Sequence, residues 1–242
     1  MSGRMREVEL ATNLARVEER IARACDAAGR KRTEVTLVVV TKTYPAEDVR
    51  LLAGLGVRHV AENRDQEAAA KAAACADLPL NWHFVGQLQT NKVRSVVAYA
   101  DCVHSVDRPK LVSALSSAVV SAGRAPLKCL IQVALEKESG HGGDRGGVAP
   151  EGVRELADAV TAAEGLRLAG LMTVAPLTGA YAGSPGLAFA RLMEISRSLR
   201  GVHPAANMVS AGMSADLEEA IAAGATHVRV GSAVLGVRPA LG

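Results

Sequence analysis

The first regular pattern of apolar residues along the chain predicts an amphipathic helix over residues 5–29, with Gly29 as a suitable end. Its apolar positions recur at alternating steps of four and three: Leu10, Leu14, Val17 and Ile21. The next segment, Val35-Thr-Leu-Val-Val-Val-Thr41, is β-branched and has almost no polar alternation. Such a run is typical of a strand that is buried on both faces, as in a parallel sheet.

After this first strand, short apolar runs alternate with longer amphipathic stretches. Further strands are expected at residues 57–61, 82–85, 101–105, 127–133, 166–172, 207–210 and 226–230. The helices between them are expected after Pro45 and at residues 64–76, 88–99, 109–122, 151–163, 186–200 and 215–223. Repeated strand–helix units imply parallel strands with right-handed crossovers, and eight such strands can close into a barrel.

The fold class predicted from this pattern is α/β, a single TIM (β/α)8 barrel with an extra N-terminal helix. The 242 residues suit one such barrel, which typically needs about 250, or two small domains. An open doubly wound sheet is the alternative, although it usually has fewer units and no GxGxxG follows the first strand. The irregular loops at residues 136–149 and 177–185 do not resemble domain linkers, so we expect one domain over residues 1–242.

Composition narrows the function classes. Hydrophobic residues make up 49% of the chain and aromatic residues 2%, so the core must consist mainly of Ala, Val and Leu. A net charge of +3 without a basic tract gives little support for nucleic-acid or membrane-surface binding. The N-terminus lacks the apolar core of a signal peptide, and no apolar run approaches the roughly 20 residues of a membrane span. We therefore expect a soluble, cytoplasmic protein.

The four cysteines are too far apart in sequence to form metal-type pairs, and we expect them to be small buried hydrophobic residues. They are Cys25, Cys75, Cys102 and Cys129.

Chemistry in a barrel of this type is located at the carboxyl ends of the strands. The polar and small residues expected there are Lys42, Glu62, Asn63, His83, Ser105, Gln132, Met172, Thr173, Ser210, Arg229, Gly231 and Ser232. Lys42 is unusual because it directly follows a mostly apolar strand. Partial desolvation there would lower the pKa of its amine and make it a usable nucleophile for carbonyl carbons. From position alone, a solvated lysine at the start of a loop remains an alternative.

Two segments near the C-terminus suggest a phosphate site. Ser210-Ala-Gly-Met-Ser214 leads into a helix that Ser214 can cap, with Asp216 in its first turn. Arg229-Val-Gly-Ser232 supplies a guanidinium, an unhindered amide and a hydroxyl. Loops after strands seven and eight are the recurrent phosphate site of this fold. A reactive lysine that faces a phosphate site suits either pyridoxal phosphate or a class I aldolase acting on a sugar phosphate.

The order and spacing of several sequence blocks resemble the pyridoxal-phosphate homeostasis protein family from about residue 8 to residue 238. The blocks are Val40-Thr-Lys42-Thr, Glu62-Asn63 with Gln66-Glu67, Trp82-His-Phe-Val-Gly86, Leu88-Gln-Thr-Asn-Lys92, Leu168-Ala-Gly-Leu-Met172, Ser210-Ala-Gly-Met-Ser214 with Asp216, and Val228-Arg-Val-Gly-Ser232 through Gly236 and Arg238. The resemblance implies a fold-type III barrel, like the N-terminal domain of alanine racemase, with pyridoxal 5′-phosphate (PLP) held as a Schiff base on Lys42.

The resemblance also implies the other cofactor-binding residues. Those expected to cradle the phosphate, largely through backbone N–H groups, are Ser210, Gly212, Met213, Ser214, Gly231 and Ser232. Arg229 would lie near the pyridine nitrogen or the phosphate of the cofactor. Asn63 and His83 would lie beside the cofactor's ring. The departures from the family pattern are Ala211, Ala134, Ser232 and a lengthened loop at residues 136–147. These departures leave the cofactor site intact. They put in doubt only which molecules besides the cofactor can enter the barrel mouth.

The resemblance favours a carrier over an enzyme. Alanine racemase adds a C-terminal β-domain and a second catalytic base, a tyrosine delivered by dimerisation, and none of Tyr44, Tyr99 and Tyr181 has a matching context. We therefore expect a monomeric PLP-binding protein that serves PLP homeostasis and has no robust catalytic turnover. Its expected partners also include other B6 vitamers and PLP-dependent apoenzymes. The alternative is an alanine-racemase-like PLP enzyme acting on amino acids, with His83 or Tyr44 as the second base.

Overall fold

The computed structural model of the protein describes residues 3–136 and 146–236. Eight parallel strands form a closed barrel in which each strand pairs with the next along the chain and the last pairs with the first. The strands are β1 (Thr36–Val40), β2 (His59–Glu62), β3 (Asn81–Phe84), β4 (Cys102–Val106), β5 (Leu127–Gln132), β6 (Leu166–Met172), β7 (Met208–Ser210) and β8 (His227–Val230). The barrel prediction is confirmed, and the open-sheet alternative is wrong.

Helices cover the outside of this barrel and follow the strands in turn. They are α1 (Gly3–Ala27), α2 (Ala46–Gly54), α3 (Asp65–Ala74), α4 (Val93–Tyr99), α5 (Pro109–Ala122), α6 (Val153–Ala162), α7 (Pro185–Arg200), α8 (Leu217–Ala223) and α9 (Ser232–Leu235). None of the described helices is long and apolar enough to cross a membrane.

The extra N-terminal helix α1 covers the barrel on the side of α8 and α9. Its predicted apolar face is buried except for Leu14, which is half-buried. Asn13 Nδ2 donates a hydrogen bond to the carbonyl of Val234 over 3.1 Å, and Arg20 forms an ion pair with Glu218. These contacts join the beginning of the chain to the segment that follows β8.

The core has two parts with different chemistry. Between the sheet and the helices it consists mainly of Val, Leu and Ala, as the composition predicts. Inside the barrel, a small apolar cluster that includes Leu130 and Met172 lies beside a row of histidines, which the composition did not predict. The four cysteines are free and buried, which confirms their assignment as small core residues.

The helix boundaries differ from the prediction at several places. The stretch predicted as a helix over 88–99 is a 3-10 turn at Thr90–Lys92 followed by α4, and the helix predicted from residue 215 begins at Leu217. Helix α9 was not predicted, because its four residues are too few to show a helical period. It begins directly after β8, so its first amides lie at the barrel mouth.

Candidate functional site

A cavity of about 420 Å³ opens at the carboxyl ends of β1, β2 and β8, and its size is within the range of small-ligand sites. Lys42, Asn63, Gly231 and Ser232, four of the predicted site residues, line it together with Tyr44. The strand order brings them together, since β1 lies between β2 and β8. The structure thus places the predicted nucleophile in one cavity with the segment predicted to bind phosphate.

Lys42 occupies the turn between β1 and α2 and is exposed to solvent. The partial desolvation expected for its amine is therefore not found in this structure. Both of its neighbours in sequence are anchored by acidic side chains. The Thr41 hydroxyl donates to Glu62 Oε1 over 2.6 Å, and the Thr43 amide donates to Glu67 Oε2 over 3.0 Å. Thr43 has a left-handed backbone with φ of 72°, which turns the chain directly after the lysine.

A buried ion pair supports this turn from below. Lys71 Nζ on α3 lies 2.5 Å from Glu62 Oε1 and 2.8 Å from the carbonyl oxygen of Thr41, to which it donates. Glu62 Oε2 is buried without a hydrogen-bond partner among the residues the structure describes. Glu62 and Glu67, two residues of the family pattern, therefore hold the Lys42 turn in place.

Asn63 is positioned by a close backbone contact with Gly86, which follows β3. A Cβ atom added at Gly86 would lie 2.1 Å from the carbonyl oxygen of Asn63, so only glycine fits there. The Asn63 Oδ1 atom is buried and has no partner within the described part of the chain. A buried amide oxygen without a partner is uncommon, and a hydrogen bond donated by a ligand would satisfy it.

The loop after β7 turns tightly against α8 at Gly212. This glycine has φ of +88°, and a Cβ atom on it would lie 2.5 Å from the Cβ of Ala220. Asp216, immediately before α8, accepts a hydrogen bond from the amide of Met213 over 2.6 Å. The prediction that Ser214 caps this helix is therefore wrong, since Asp216 occupies the cap position.

Several amides at the mouth are left for a ligand. The N–H groups of Gly212, Ser214, Ser232 and Ala233 donate to no backbone acceptor among the described residues. Ser232 is exposed, and Ser214 is half-buried. Unpaired amides after β7 and β8 are the type of group that binds phosphate in barrels of this fold. Met213, also predicted to bind phosphate, uses its amide within the loop and has an exposed side chain.

A row of polar side chains crosses the barrel interior. His59 Nδ1 lies 3.0 Å from His83 Nε2, and His83 Nδ1 lies 2.8 Å from His104 Nε2. His104 Nδ1 lies 3.0 Å from Ser210 Oγ, which accepts a hydrogen bond from Arg229 Nη1 over 2.6 Å. We name these five residues the interior row.

The electrostatics of the interior row follow from its burial. Burial lowers the pKa of His83 and of His104 well below the usual value, and burial with nearby Lys128 lowers the pKa of His59. The imidazoles are therefore neutral at neutral pH. Burial also lowers the pKa of Arg229 to about 10, so its guanidinium remains a cation at neutral pH.

The interior row contains three of the predicted site residues, and their side chains have hydrogen-bond partners inside the barrel. His83 does not line the cavity, because it is buried and both its ring nitrogens face other histidines. The Ser210 oxygen accepts a hydrogen bond from Arg229 Nη1 and lies within hydrogen-bonding distance of His104 Nδ1. Arg229 also donates from Nη2 to the carbonyl of Thr173 over 2.8 Å.

Thr41 and Glu67 entered the sequence predictions only as parts of the family blocks, and no role was predicted for Lys71, His59 or His104. Lys71, on a mostly alanine helix, gave no signal, because lysines are usually on the surface. The signal for the two histidines was their position within predicted strands, where half of the side chains of a barrel must face inward.

The interior also brings His83, His104 and Cys102 together, with one donor atom from each within 4.8 Å of the others. The two histidine nitrogens are only 2.8 Å apart. Two nitrogens on one tetrahedral metal ion would be roughly 3.3 Å apart or more. In this geometry the rings are joined by a hydrogen bond, and we describe them as part of the interior row.

Comparison with known proteins gives consistent results. Residues 12–239 match the family model described as alanine racemase, N-terminal domain. The pyridoxal phosphate homeostasis protein of Pseudomonas aeruginosa is 44% identical over 229 residues, which covers 95% of this chain and 96% of that protein.

Two solved structures illustrate the range of similar folds. PipY of Synechococcus elongatus, solved with PLP bound, has a TM-score of 0.79 and 33% identity, covering 94% of this chain and 100% of that one. Alanine racemase of Corynebacterium glutamicum, at 17% identity and a TM-score of 0.63, shares the fold over 98% of this chain and 62% of its own. From the barrel, the sequence blocks and these relatives, we conclude that the chain belongs to the pyridoxal phosphate homeostasis protein family.

Proposed function

We propose that the protein binds pyridoxal 5′-phosphate at the barrel mouth, covalently through Nζ of Lys42, and that this binding serves cellular PLP homeostasis. One observation carries the proposal. A lysine amine, which can react with an aldehyde, opens into the same cavity as the Gly231–Ser232 turn and its unpaired amides. PLP contains both groups that such a cavity would recognise, an aldehyde and a phosphate.

The residues present fit this cofactor. Gly212 allows the backbone after β7 to approach closely where a Cβ would collide with Ala220. The amides of Ser214 and Ser232 would bind the phosphate, and the unpaired Oδ1 of Asn63 offers an acceptor at the ring side. When bound to a lysine, PLP supplies an electron sink for reactions at the α-carbon of amino acids.

Arg229 would limit that chemistry. Its guanidinium is buried, cationic and fixed by Ser210 and by the carbonyl of Thr173. A cation near the ring nitrogen of PLP opposes protonation of that nitrogen and weakens the electron sink. Arg229 therefore supports storage of the cofactor rather than turnover.

The two residues considered as a second base are both engaged. The Tyr44 hydroxyl donates to the carbonyl oxygen of Gly236 over 2.7 Å, and this bond ties the Lys42 turn to α9. His83 lies in the interior row with both nitrogens engaged. Because both side chains already have hydrogen-bond partners within the protein, we infer that neither acts as a second base, which supports the carrier function over a racemase-like one.

The proposal extends to partners and location. We expect one barrel domain over the whole chain, a monomer in the cytoplasm, and exchange of PLP with other B6 vitamers and PLP-dependent apoenzymes. The exposed Lys42 supports exchange, because a partner can reach the amine from solvent. Light scattering of the purified protein tests the monomer, and transfer of PLP to an apoenzyme tests the exchange.

The experiment that tests the function is titration of the purified protein with PLP, followed by visible absorbance. We expect a band that shifts on borohydride reduction and is lost in Lys42→Ala. Incubation of the loaded protein with L- and D-amino acids in deuterated water then separates carrier from enzyme. Exchange of the α-proton at enzymatic rates would contradict the carrier function, and absence of the band would contradict PLP binding.

A further inference from the structure

The interior row runs through the barrel from one end to the other. His59 is the first residue of β2, at the amino-terminal end of the barrel, and Ser210 is the last residue of β7, at the carboxyl end. His83 and His104 lie between them in β3 and β4. Every step is within hydrogen-bonding distance, from 2.6 to 3.0 Å.

Only one end of the row is close to solvent within the described structure. His83, His104, Ser210 and Arg229 are at most 4% exposed, whereas His59 is half-buried. The groups that face His59 are Lys128 on β5, Asp101 before β4, and the ring of His83. His227 on β8 lies beside His83, with ring centroids 6.5 Å apart, but its Nδ1 pairs with Thr226 rather than with the row.

Arg229 restricts how protons can be arranged along the row. Arginine donates hydrogen bonds and accepts none, so Ser210 Oγ must act as its acceptor. In one arrangement the Ser210 hydroxyl donates to His104 Nδ1. His104 then donates from Nε2 to His83, and His83 donates from Nε2 to His59. In this first arrangement all three protons point towards the amino-terminal end of the barrel.

The second arrangement reverses every proton. His59 donates from Nδ1 to His83, His83 donates from Nδ1 to His104, and His104 donates from Nδ1 to Ser210 Oγ. The Ser210 oxygen then accepts from both Arg229 and His104, and its own hydrogen is free to bond an acceptor above it. A neutral imidazole has one donor and one acceptor nitrogen, so the three rings must change together.

The geometry points to a proton relay: His59, His83, His104 and Ser210 pass one proton between the amino-terminal end of the barrel and an acceptor held at the mouth. The inference rests on the proposed function, because it takes the acceptor at the mouth to be the bound cofactor. In the outward direction, water protonates His59 Nε2, each ring passes on its Nδ1 proton, and Ser210 releases its own proton upwards. One proton enters and one leaves.

The reverse passage restores the starting arrangement without rotation of any ring. A proton arriving at Ser210 moves the hydroxyl proton to His104 Nδ1, each ring passes on its Nε2 proton, and His59 releases one to water. A packed barrel interior hinders ring rotation, so a row that resets in this way suits a ligand that is loaded and released repeatedly.

Nitrogen-15 NMR of histidine-labelled, cofactor-free protein tests the coupling, because protonated and unprotonated ring nitrogens resonate far apart. In His59→Gln, we expect the Nδ1 and Nε2 signals of both His83 and His104 to change. The matched control is His203→Gln, a histidine outside the barrel that pairs with Asp158. If only the neighbouring His83 responds, or neither ring does, the relay is contradicted.

Loading with PLP tests the mouth end of the relay. In the unmodified protein we expect the three rings of the row to exchange their donor and acceptor nitrogens on loading, while His203 stays unchanged. In His104→Gln, which can bridge the same neighbours but cannot pass a proton, His59 and His83 should no longer respond. Unchanged histidine signals in a fully loaded protein would overturn the relay but not cofactor binding.

The two proposals fail separately. A protein without a visible band contradicts PLP binding, and the cofactor-free measurement on His59→Gln still tests the coupled row. If His104→Gln does not fold, loading of His59→Gln replaces it, since His59 is at the half-buried end. There the relay predicts that His83 and His104 no longer respond to loading, and an unaltered response would contradict it.

Discussion

The ammonium of Lys71 lies 2.5 Å from Oε1 of Glu62, and both side chains are buried, at 6% and 0% exposure. Glu62 also accepts the hydroxyl hydrogen of Thr41, directly before Lys42. The pair therefore connects α3 to the turn that presents the cofactor lysine. A lysine in a helix interior thus acts as a support for a different lysine in the site.

Removing the Lys71 ammonium should strongly destabilise the fold. Lys71→Met leaves the Glu62 carboxylate buried and unpaired, and breaking a buried pair from one side typically costs about 3–5 kcal/mol. Arg50→Ala is the control, because the Arg50–Asp77 pair is exposed and such pairs contribute about 1 kcal/mol or less. Urea unfolding followed by circular dichroism measures the free energy of unfolding of both variants. An equal loss of stability in the two variants would contradict the role of the Lys71–Glu62 pair as a buried support.

Gly86→Ala should disturb Asn63 at the cavity. The added Cβ would lie 2.1 Å from the Asn63 carbonyl oxygen, so the backbone of one strand end must move. We expect lower stability and weaker PLP binding by absorbance titration. Gly54→Ala is the control, since a Cβ there meets nothing within 4 Å and alanine favours a helix. If Gly86→Ala behaves like Gly54→Ala, the contact does not position Asn63.

The unpaired groups after β8 predict that Ser232 binds the phosphate of PLP. Ser232→Ala removes a hydroxyl that can donate to the phosphate of PLP, and a hydrogen bond to a charged group contributes about 1.5–3 kcal/mol. The Kd for PLP should therefore rise by roughly ten- to a hundredfold, whereas the Kd for pyridoxal, which lacks the phosphate, should change little. Ser113→Ala on the exposed face of α5 is the control. An equal effect on both ligands would place the phosphate elsewhere.

Acid should destabilise the protein through its buried histidines. Burial lowers the pKa of His227 to about 4 and that of His83 and His104 well below the usual value. The unfolded chain therefore binds these protons first, from about pH 6.5 downwards. The free energy of unfolding should then fall by about 1.4 kcal/mol per pH unit for each histidine that stays neutral in the folded state.

Urea titrations between about pH 6.5 and pH 5.5 measure this slope, above the range in which most carboxylates titrate. His227→Gln should show a smaller slope than the unmodified protein, and His203→Gln, altered outside the barrel, should show the same one. A stability that is constant across this range would contradict neutral buried histidines.

The barrel was predictable from sequence because its strands are buried on both faces and its helices are amphipathic. Short continuous apolar runs therefore alternate with longer stretches of helical period. Lys42 and the Gly231–Ser232 turn were predictable for a related reason. Parallel strands bring their carboxyl ends to one edge, and residues after the first and last strands of a closed barrel become neighbours.

The interior row and the Lys71 support were not predictable in the same way. Whether His104 meets Ser210 depends on which residues of β4 and β7 share a level inside the barrel, and the sequence does not show this stagger. A register shift between β4 and β5 changes the levels further. The burial of Lys71 likewise depends on Glu62 and Thr41 being placed opposite α3, which is a tertiary relationship.

Mass spectrometry of the borohydride-reduced, PLP-loaded protein tests directly whether Lys42 holds the cofactor. Reduction fixes the cofactor to the lysine that holds it, and peptide mapping locates the pyridoxyl group. We expect one adduct, on Lys42, with none on the buried Lys71 and none in Lys42→Ala. An adduct distributed over surface lysines, or one that persists in Lys42→Ala, would contradict a specific cofactor site at the barrel mouth.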